Sequence, residues 1–252
     1  MLRSYIKALI EGTAEVSPEK AIGLFKKLAG KKKHKEAIRF AQANLPLLGT
    51  GSSRAVIKDG DDRVIKFAIN KAGMAQNSVE ANPALQSKYG DIVAKVYGRS
   101  PDNFWIEMDL AIPVEDRNEA DLWAERLGAG SYGMLARYVF EVFRLHKDST
   151  DDFAEEEEAL DHKYPAFEEI AKSPRVRQII ELMIEHGLTP GDLVPIGSMA
   201  KCDGLGFTAE GRPIVVDYGL SFDVWEEYYQ MKPGDVQDPQ GGAYRELEKF
   251  SA

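Results

Sequence analysis

The sequence is poor in the features that mark secreted and membrane proteins. Its 252 residues include one cysteine, Cys202, so no disulfide can form within the chain. No apolar run reaches the length of about 18 residues needed for a membrane-spanning helix, and no apolar signal-peptide core follows the N-terminal residues. We therefore expect a cytoplasmic globular protein, which agrees with its 44% hydrophobic and 29% charged residues.

The chain also lacks an excess of positive charge. Its 41 acidic and 32 basic residues give a net charge of −9, which disfavours nonspecific binding to nucleic acid. The charges are unevenly spread, because residues 155–158 are all glutamate and six lysines lie close together near the N-terminus: Lys26, Lys27, Lys31, Lys32, Lys33 and Lys35. Both clusters are typical of solvated faces, and docking of an acidic partner is the alternative for the basic one.

Periodicity predicts helices at the N-terminus, then strands, then helices again. One helix is predicted to start at Ser17-Pro18 and stop at Gly30, and a second to run from His34 to Asn44. Five strands should follow from Leu45, the last two over 92–97 and 104–110, with a helix over 71–88 that Pro83 interrupts. Residues 118–188 are mostly helical in pattern, and two short strands are predicted near 205–208 and 213–216.

Two glycines lie in the predicted turn between the first two strands, in Gly49-Thr-Gly51-Ser-Ser-Arg54-Ala-Val56. A residue without a side chain lets backbone N–H groups approach a phosphate closely. An ordinary hairpin turn is the alternative. A dinucleotide-binding loop is disfavoured, because no parallel strand–loop–helix unit surrounds these glycines.

Two ionisable residues follow at positions suited to nucleotide binding. Lys66 lies in the third strand, from which a lysine in a cleft can pair with phosphates. Its neighbours Ile65 and Phe67 are both apolar, so alternation leaves its face undecided, and an outward-facing lysine is the alternative. Glu80 is the only carboxylate between Lys71 and Lys88, and a surface glutamate is the alternative for it.

Taken in order, these features resemble the protein-kinase family over about residues 45–230. The glycine turn resembles G-x-G-x-x-G-x-V, Val64-Ile65-Lys66 resembles V-A-I-K, Pro190-Gly191-Asp192-Leu193 resembles H-R-D-L, and Asp217-Tyr218-Gly219 resembles D-F-G. The similarity is to small, divergent kinase-like proteins of bacteria or phages with the eukaryotic-like Ser/Thr kinase fold.

The resemblance implies an α+β, bilobal fold with a five-stranded antiparallel N-lobe and a short, mostly helical C-lobe. The predicted domains are an N-terminal helical extension over 1–44, the N-lobe over 45–110, the C-lobe over 111–231 and a tail over 232–252. The connection between the lobes would lie near residues 107–112, and its backbone groups would face the adenine.

The resemblance also implies ATP and Mg²⁺ as cofactors. Catalysis would use Lys66 and Asp192, the latter as the base that accepts the proton of the attacking hydroxyl. Mg²⁺ would be bound by Asp217, with Asp203 as a second oxygen ligand. The nucleotide would be held by Gly49, Gly51, Ser52, Ser53, Lys66 and Glu80. In the family, the glutamate on the helix after the lysine strand holds that lysine in place, so the resemblance implies that Glu80 pairs with Lys66.

The sequence departs from the family at several positions. Arg54 stands at the third glycine, and Pro190 and Gly191 replace the histidine and arginine before the base. Gly197 stands where the family has a metal-binding asparagine, which is why Asp203 is considered, with a turn as its alternative function. No A-P-E motif follows Gly219.

Three functions compete on this basis. The first is an ATP-dependent phosphotransferase whose acceptor is a protein Ser/Thr or a small-molecule hydroxyl, in the host cytoplasm if a phage encodes it. The second is a pseudokinase that acts as a nucleotide-binding or scaffold module. The third is an interaction protein whose basic N-terminal helices dock a protein partner.

Overall fold

The computed structural model describes residues 17–148, 165–188 and 204–229. These residues form two compact units. The first unit contains residues 17–82 and 95–110, and the second contains 83–94 and the described residues from 111 onward. Asp192 and Asp203, like the acidic run at 155–158 and the predicted tail, lie outside the described residues.

The first unit is built on a five-stranded antiparallel sheet with strand order β1-β2-β3-β5-β4. Its strands are β1 (Leu47–Thr50), β2 (Arg54–Asp59), β3 (Arg63–Ala68), β4 (Val96–Arg99) and β5 (Trp105–Asp109). Its helices are α1 (Pro18–Gly30), α2 (His34–Asn44) and α3 (Lys71–Glu80). The predicted five-stranded antiparallel sheet is therefore confirmed.

The second unit is mostly helical. Its helices are α4 (Pro83–Tyr89), α5 (Arg117–Leu127), α6 (Tyr132–Asp148), α7 (Pro165–Ala171), α8 (Pro174–His186) and α9 (Phe222–Tyr228). A small sheet has the order β6-β7-β8, from Ile112–Pro113, Leu205–Phe207 and Pro213–Val215. The two units together confirm the predicted α+β class.

The N-terminal helices cover one face of the large sheet. Phe25 of α1 is fully buried, with its ring centroid 5.3 Å from that of Phe67 and 6.0 Å from that of Phe104. Ile65 belongs to the same core. Because side chains alternate along a strand, Lys66, between Ile65 and Phe67, lies on the opposite face. The helices thus decide the orientation that the sequence pattern left open.

Ion pairs join α1 to the sheet at the rim of this core. Lys26 donates to Glu107 at 2.8 Å and to Asp59 at 3.3 Å, and Arg63 donates to the other Glu107 oxygen at 2.6 Å. Burial raises the pKa of the Glu107 carboxyl. The hydrogen bonds from Lys26 and Arg63 together lower this pKa by more than burial raises it, so it lies below the ordinary value.

One predicted strand was misplaced. The fourth strand was expected over 92–97, but β4 spans Val96–Arg99. Residues 92–94 belong to the second unit, where the Val215 N–H donates to the Ile92 carbonyl at 2.8 Å and the Ala94 N–H donates to the Val215 carbonyl at 2.9 Å. The apolar run that suggested one strand is therefore divided between an isolated bridge to β8 and the large sheet. The two-residue strand β6 was not predicted, because it is too short to show a periodicity.

Across the described ranges, no helix is both long and apolar enough to cross a membrane.

Replacing Phe25 with alanine tests the contribution of α1 to the first unit. Phe25→Ala should lower the free energy of unfolding by about 3–5 kcal/mol, because it opens a cavity among Phe67 and Phe104. Lys20→Ala, at an exposed position of the same helix, should change it by less than about 0.5 kcal/mol. Urea unfolding followed by circular dichroism measures both, and equal effects would show that α1 is not part of this core.

The lowered pKa of Glu107 predicts a pH dependence. A carboxyl with a lowered folded-state pKa stabilises the fold above its unfolded pKa of about 4.3, and this contribution is lost as pH falls through the folded pKa. Glu107→Gln should therefore be less stable than wild type by about 1 kcal/mol at pH 7. The two proteins should converge towards pH 3 in urea unfolding. A difference that persists at pH 3 would contradict this assignment.

Candidate functional site

The glycine turn forms a hairpin between β1 and β2. Gly49 pairs with Val56 and Thr50 with Ala55, and the Gly51 N–H donates to the Arg54 carbonyl at 2.8 Å. Gly49, Gly51 and Ser52 are exposed, whereas Ser53 is buried. A Cβ built at Gly49 would meet no atom within 4 Å, so this position is open to an approaching group.

Lys66 and Glu80 form a buried ion pair. Lys66 lies in the middle of β3, opposite Val56 of β2 and Ile106 of β5. Its Nζ is 3.1 Å from Oε1 and 3.2 Å from Oε2 of Glu80, the last residue of α3. Lys66 is 5% exposed and Glu80 is 0% exposed. The alternatives of an outward-facing lysine and a surface glutamate are therefore wrong.

Arg54 is a third member of this cluster, and the sequence interpretation gave it no function. Its Nη1 donates to Glu80 Oε1 at 2.8 Å, and the residue is 7% exposed. Glu80 therefore pairs with two basic side chains, one from β2 and one from β3. The available signal was the presence of a long charged residue at a position where the family has glycine.

Glycine at position 73 allows α3 to approach the glycine turn closely. A Cβ at Gly73 would lie 2.1 Å from the Ser53 carbonyl oxygen and 3.0 Å from Cγ of Arg54. Asn70 caps the helix by accepting from the Gly73 N–H at 3.0 Å. The helix that carries Glu80 is thus in direct backbone contact with the turn.

Asp217 lies in the second unit, two residues after the end of β8. The N–H groups of Val216 and Asp217 donate to the Gly204 carbonyl at 2.6 Å and 3.3 Å, which joins the end of this strand to the start of β7. Asp217 is half-buried. Its carboxylate supplies the hard oxygen atoms that Mg²⁺ prefers.

The aromatic residue after Asp217 is firmly held. Tyr218 is fully buried, its hydroxyl donates to the Ala94 carbonyl at 2.7 Å, and Gln86 Nε2 lies 2.6 Å from the same hydroxyl. This anchoring fixes the backbone on the C-terminal side of Asp217. The predicted partner ligand Asp203 and the predicted base Asp192 lie outside the described residues.

Within residues 17–148, 165–188 and 204–229, no group of three or more His, Cys, Asp or Glu side chains forms a metal site. The structure therefore brings together Lys66, Glu80 and Arg54 in the first unit, and it places Asp217 in the second. The predicted metal pair of Asp217 and Asp203 stays a prediction.

No protein-family model matches the chain, and no match is found among curated proteins. Among solved structures, the chain is similar to the GDP and kanamycin complex of APH(2")-IIia, with a TM-score of 0.35 and 14% sequence identity. The similarity covers 70% of this chain and 67% of that chain.

A pair of glycine substitutions tests the close approach at Gly73. Gly73→Ala should lower the free energy of unfolding by about 1–3 kcal/mol, because the new Cβ overlaps the Ser53 carbonyl. Gly23→Ala, also in a helix but with no atom within 4 Å of its Cβ, should raise it by up to about 1 kcal/mol. Urea unfolding measures both. A Gly73→Ala variant that is as stable as wild type, or more stable, would mean that α3 does not contact the turn.

Proposed function

We propose that this protein is an ATP- and Mg²⁺-dependent phosphotransferase of protein-kinase-like fold, which transfers the γ-phosphate to a hydroxyl acceptor. The observation that carries the proposal is the buried ion pair between Lys66 on β3 and Glu80 on α3. The glycine hairpin beside this pair and Asp217 after β8 support it.

The burial of the ion pair favours a functional explanation over a purely stabilising one. Taking two charges out of water costs several kcal/mol per ion, and an apolar pair of similar volume is often as stable. A lysine fixed by a carboxylate has a defined direction, which suits it to the phosphates of a nucleotide. In this proposal Glu80 orients the ammonium and Lys66 binds the phosphates.

The hairpin and two aspartates complete the proposed machinery. The exposed backbone of Gly49, Gly51 and Ser52 would cover the phosphates, because the glycines have no side chains in the way. The Gly51 N–H already donates to the Arg54 carbonyl, so it is not one of the proposed phosphate donors. Asp217 would hold Mg²⁺, which when bound neutralises charge on the phosphates. Asp192 would accept the proton of the acceptor hydroxyl.

A pseudokinase is the second candidate, and particular residues favour it. Pro190 and Gly191 replace the family's histidine and arginine, and Gly197 replaces its metal-binding asparagine. These substitutions remove side chains that would act in catalysis, but they leave Lys66 and Glu80 in place. A pseudokinase would bind nucleotide through the first unit without turning it over.

Radiolabelled phosphate transfer tests the proposed function. Purified full-length protein is incubated with γ-labelled ATP, Mg²⁺ and two acceptor panels, Ser/Thr-containing peptides and hydroxylated small molecules. We expect transfer that falls by about 100-fold or more in Lys66→Met, Asp217→Ala and Asp192→Ala, because each removes a group that stabilises the transferring phosphate or the attacking hydroxyl.

Two substitutions serve as matched controls. Lys58→Met removes a lysine from the neighbouring strand β2, and Asp223→Ala removes an exposed aspartate from α9. Both should retain the wild-type rate. Equal rates in all variants would refute the site assignment. Nucleotide binding in a thermal-shift assay without transfer to either panel would identify the pseudokinase instead.

A further inference from the structure

Arg54 makes a side-chain contact in the first unit that a glycine at this position could not make. Its guanidinium Nη1 lies 2.8 Å from Glu80 Oε1, the oxygen that Lys66 Nζ approaches at 3.1 Å. Arg54 is the first residue of β2, and Glu80 is the last residue of α3. The side chain therefore connects the end of the glycine turn to the end of the helix that carries the glutamate.

The first turns of α3 are joined to the same segment. The Ser53 carbonyl accepts from the Ile69 N–H at 2.8 Å, and the Ser53 hydroxyl donates to Gln76 at 3.0 Å. The Ser52 carbonyl accepts from Asn70 at 3.0 Å. With the backbone approach at Gly73, these contacts attach residues 52–54 to α3 along most of its length.

A second attachment joins α3 to the segment that precedes β5. The fully buried side chain of Asn77 donates to the Asn103 carbonyl at 2.9 Å and to the Phe104 carbonyl at 3.3 Å. All of these contacts lie within the first unit. They hold Glu80 beside Lys66 from within that unit.

We infer that Arg54 is a positioning residue that holds α3 against the glycine turn and keeps Glu80 beside Lys66. In kinases the assembly of this pair is a controlled step that depends on the placement of the glutamate helix. Here the guanidinium of Arg54, which lies on β2, holds the glutamate helix α3 in position. The inference deepens the proposed function and rests on it for the meaning of the pair, but the positioning itself is measurable without any activity.

Hydrogen exchange of the α3 backbone amides tests the positioning directly. In Arg54→Met, Glu80 keeps Lys66 but loses the bond to β2, so the end of α3 should open more often. Exchange of the amides in residues 76–80, relative to those of β3, should accelerate by about tenfold or more. Arg54→Lys keeps a positive charge on a side chain that extends towards Glu80, so it should restore much of the protection.

Arg63→Met is the matched control, because it removes another arginine–glutamate pair from the same sheet. Arg63 of β3 pairs with Glu107 of β5, and Glu107 is not part of the cluster of Arg54, Lys66 and Glu80. Arg63→Met should lower stability without raising the ratio of α3 to β3 exchange, because Arg63 lies in β3 and local opening there would lower that ratio. Comparing this ratio, rather than absolute rates, separates local opening from a general loss of stability.

Titration with MgATP by thermal shift separates this inference from the proposed function. If Arg54→Met raises the exchange ratio and weakens MgATP binding, both are supported. If the ratio rises but wild type binds no MgATP, Arg54 positions Glu80 and the proposed nucleotide function fails. An unchanged exchange ratio in Arg54→Met overturns the inference, whatever the nucleotide result.

Discussion

The carboxylate of Glu80 is fully buried, and a charge in that position must be paired to be tolerated. Its partners come from two different strands, Arg54 from β2 and Lys66 from β3. Both strands and α3 must therefore be in place before the charge is satisfied. The same requirement fixes the orientation of the lysine, which is the feature that a phosphate-binding function needs.

The sheet meets this requirement because its two faces are used differently. One face carries Ile65 and Phe67 and packs against Phe25 of α1, which makes it an apolar core. The other face carries Lys66. The N-terminal helices thus do more than extend the chain, since burying the first face with them assigns Lys66 to the side where α3 lies.

Much of this architecture could be predicted from the sequence. Local signals gave correct helix boundaries: the start predicted at Ser17-Pro18 and the stop predicted at Gly30 are the ends of α1, and the helix predicted from His34 to Asn44 is α2. Charge and order along the chain made Glu80 the candidate partner of Lys66, and the structure shows that the two are in contact. These predictions rest on local signals, which act over a few residues.

What the sequence could not predict depends on contacts between distant segments. The apolar run at 92–97 looks like one strand, but Val93 bridges to Val215 whereas Val96 pairs with Met108, and only the tertiary fold divides them. The bond from Arg54 to Glu80 spans 26 residues. The need for glycine at position 73 arises from the Ser53 carbonyl, which no local pattern reveals.

The most direct test of the central claim is whether Lys66 lies at the phosphates of bound ATP. An ATP derivative with a reactive acyl group on its terminal phosphate transfers that group to a neighbouring lysine, and mass spectrometry identifies the modified residue. The account predicts modification of Lys66, suppressed by excess MgATP, and no ATP-sensitive modification of Lys58 on β2. Modification of Lys58 and Lys66 to the same extent, unaffected by MgATP, would contradict it.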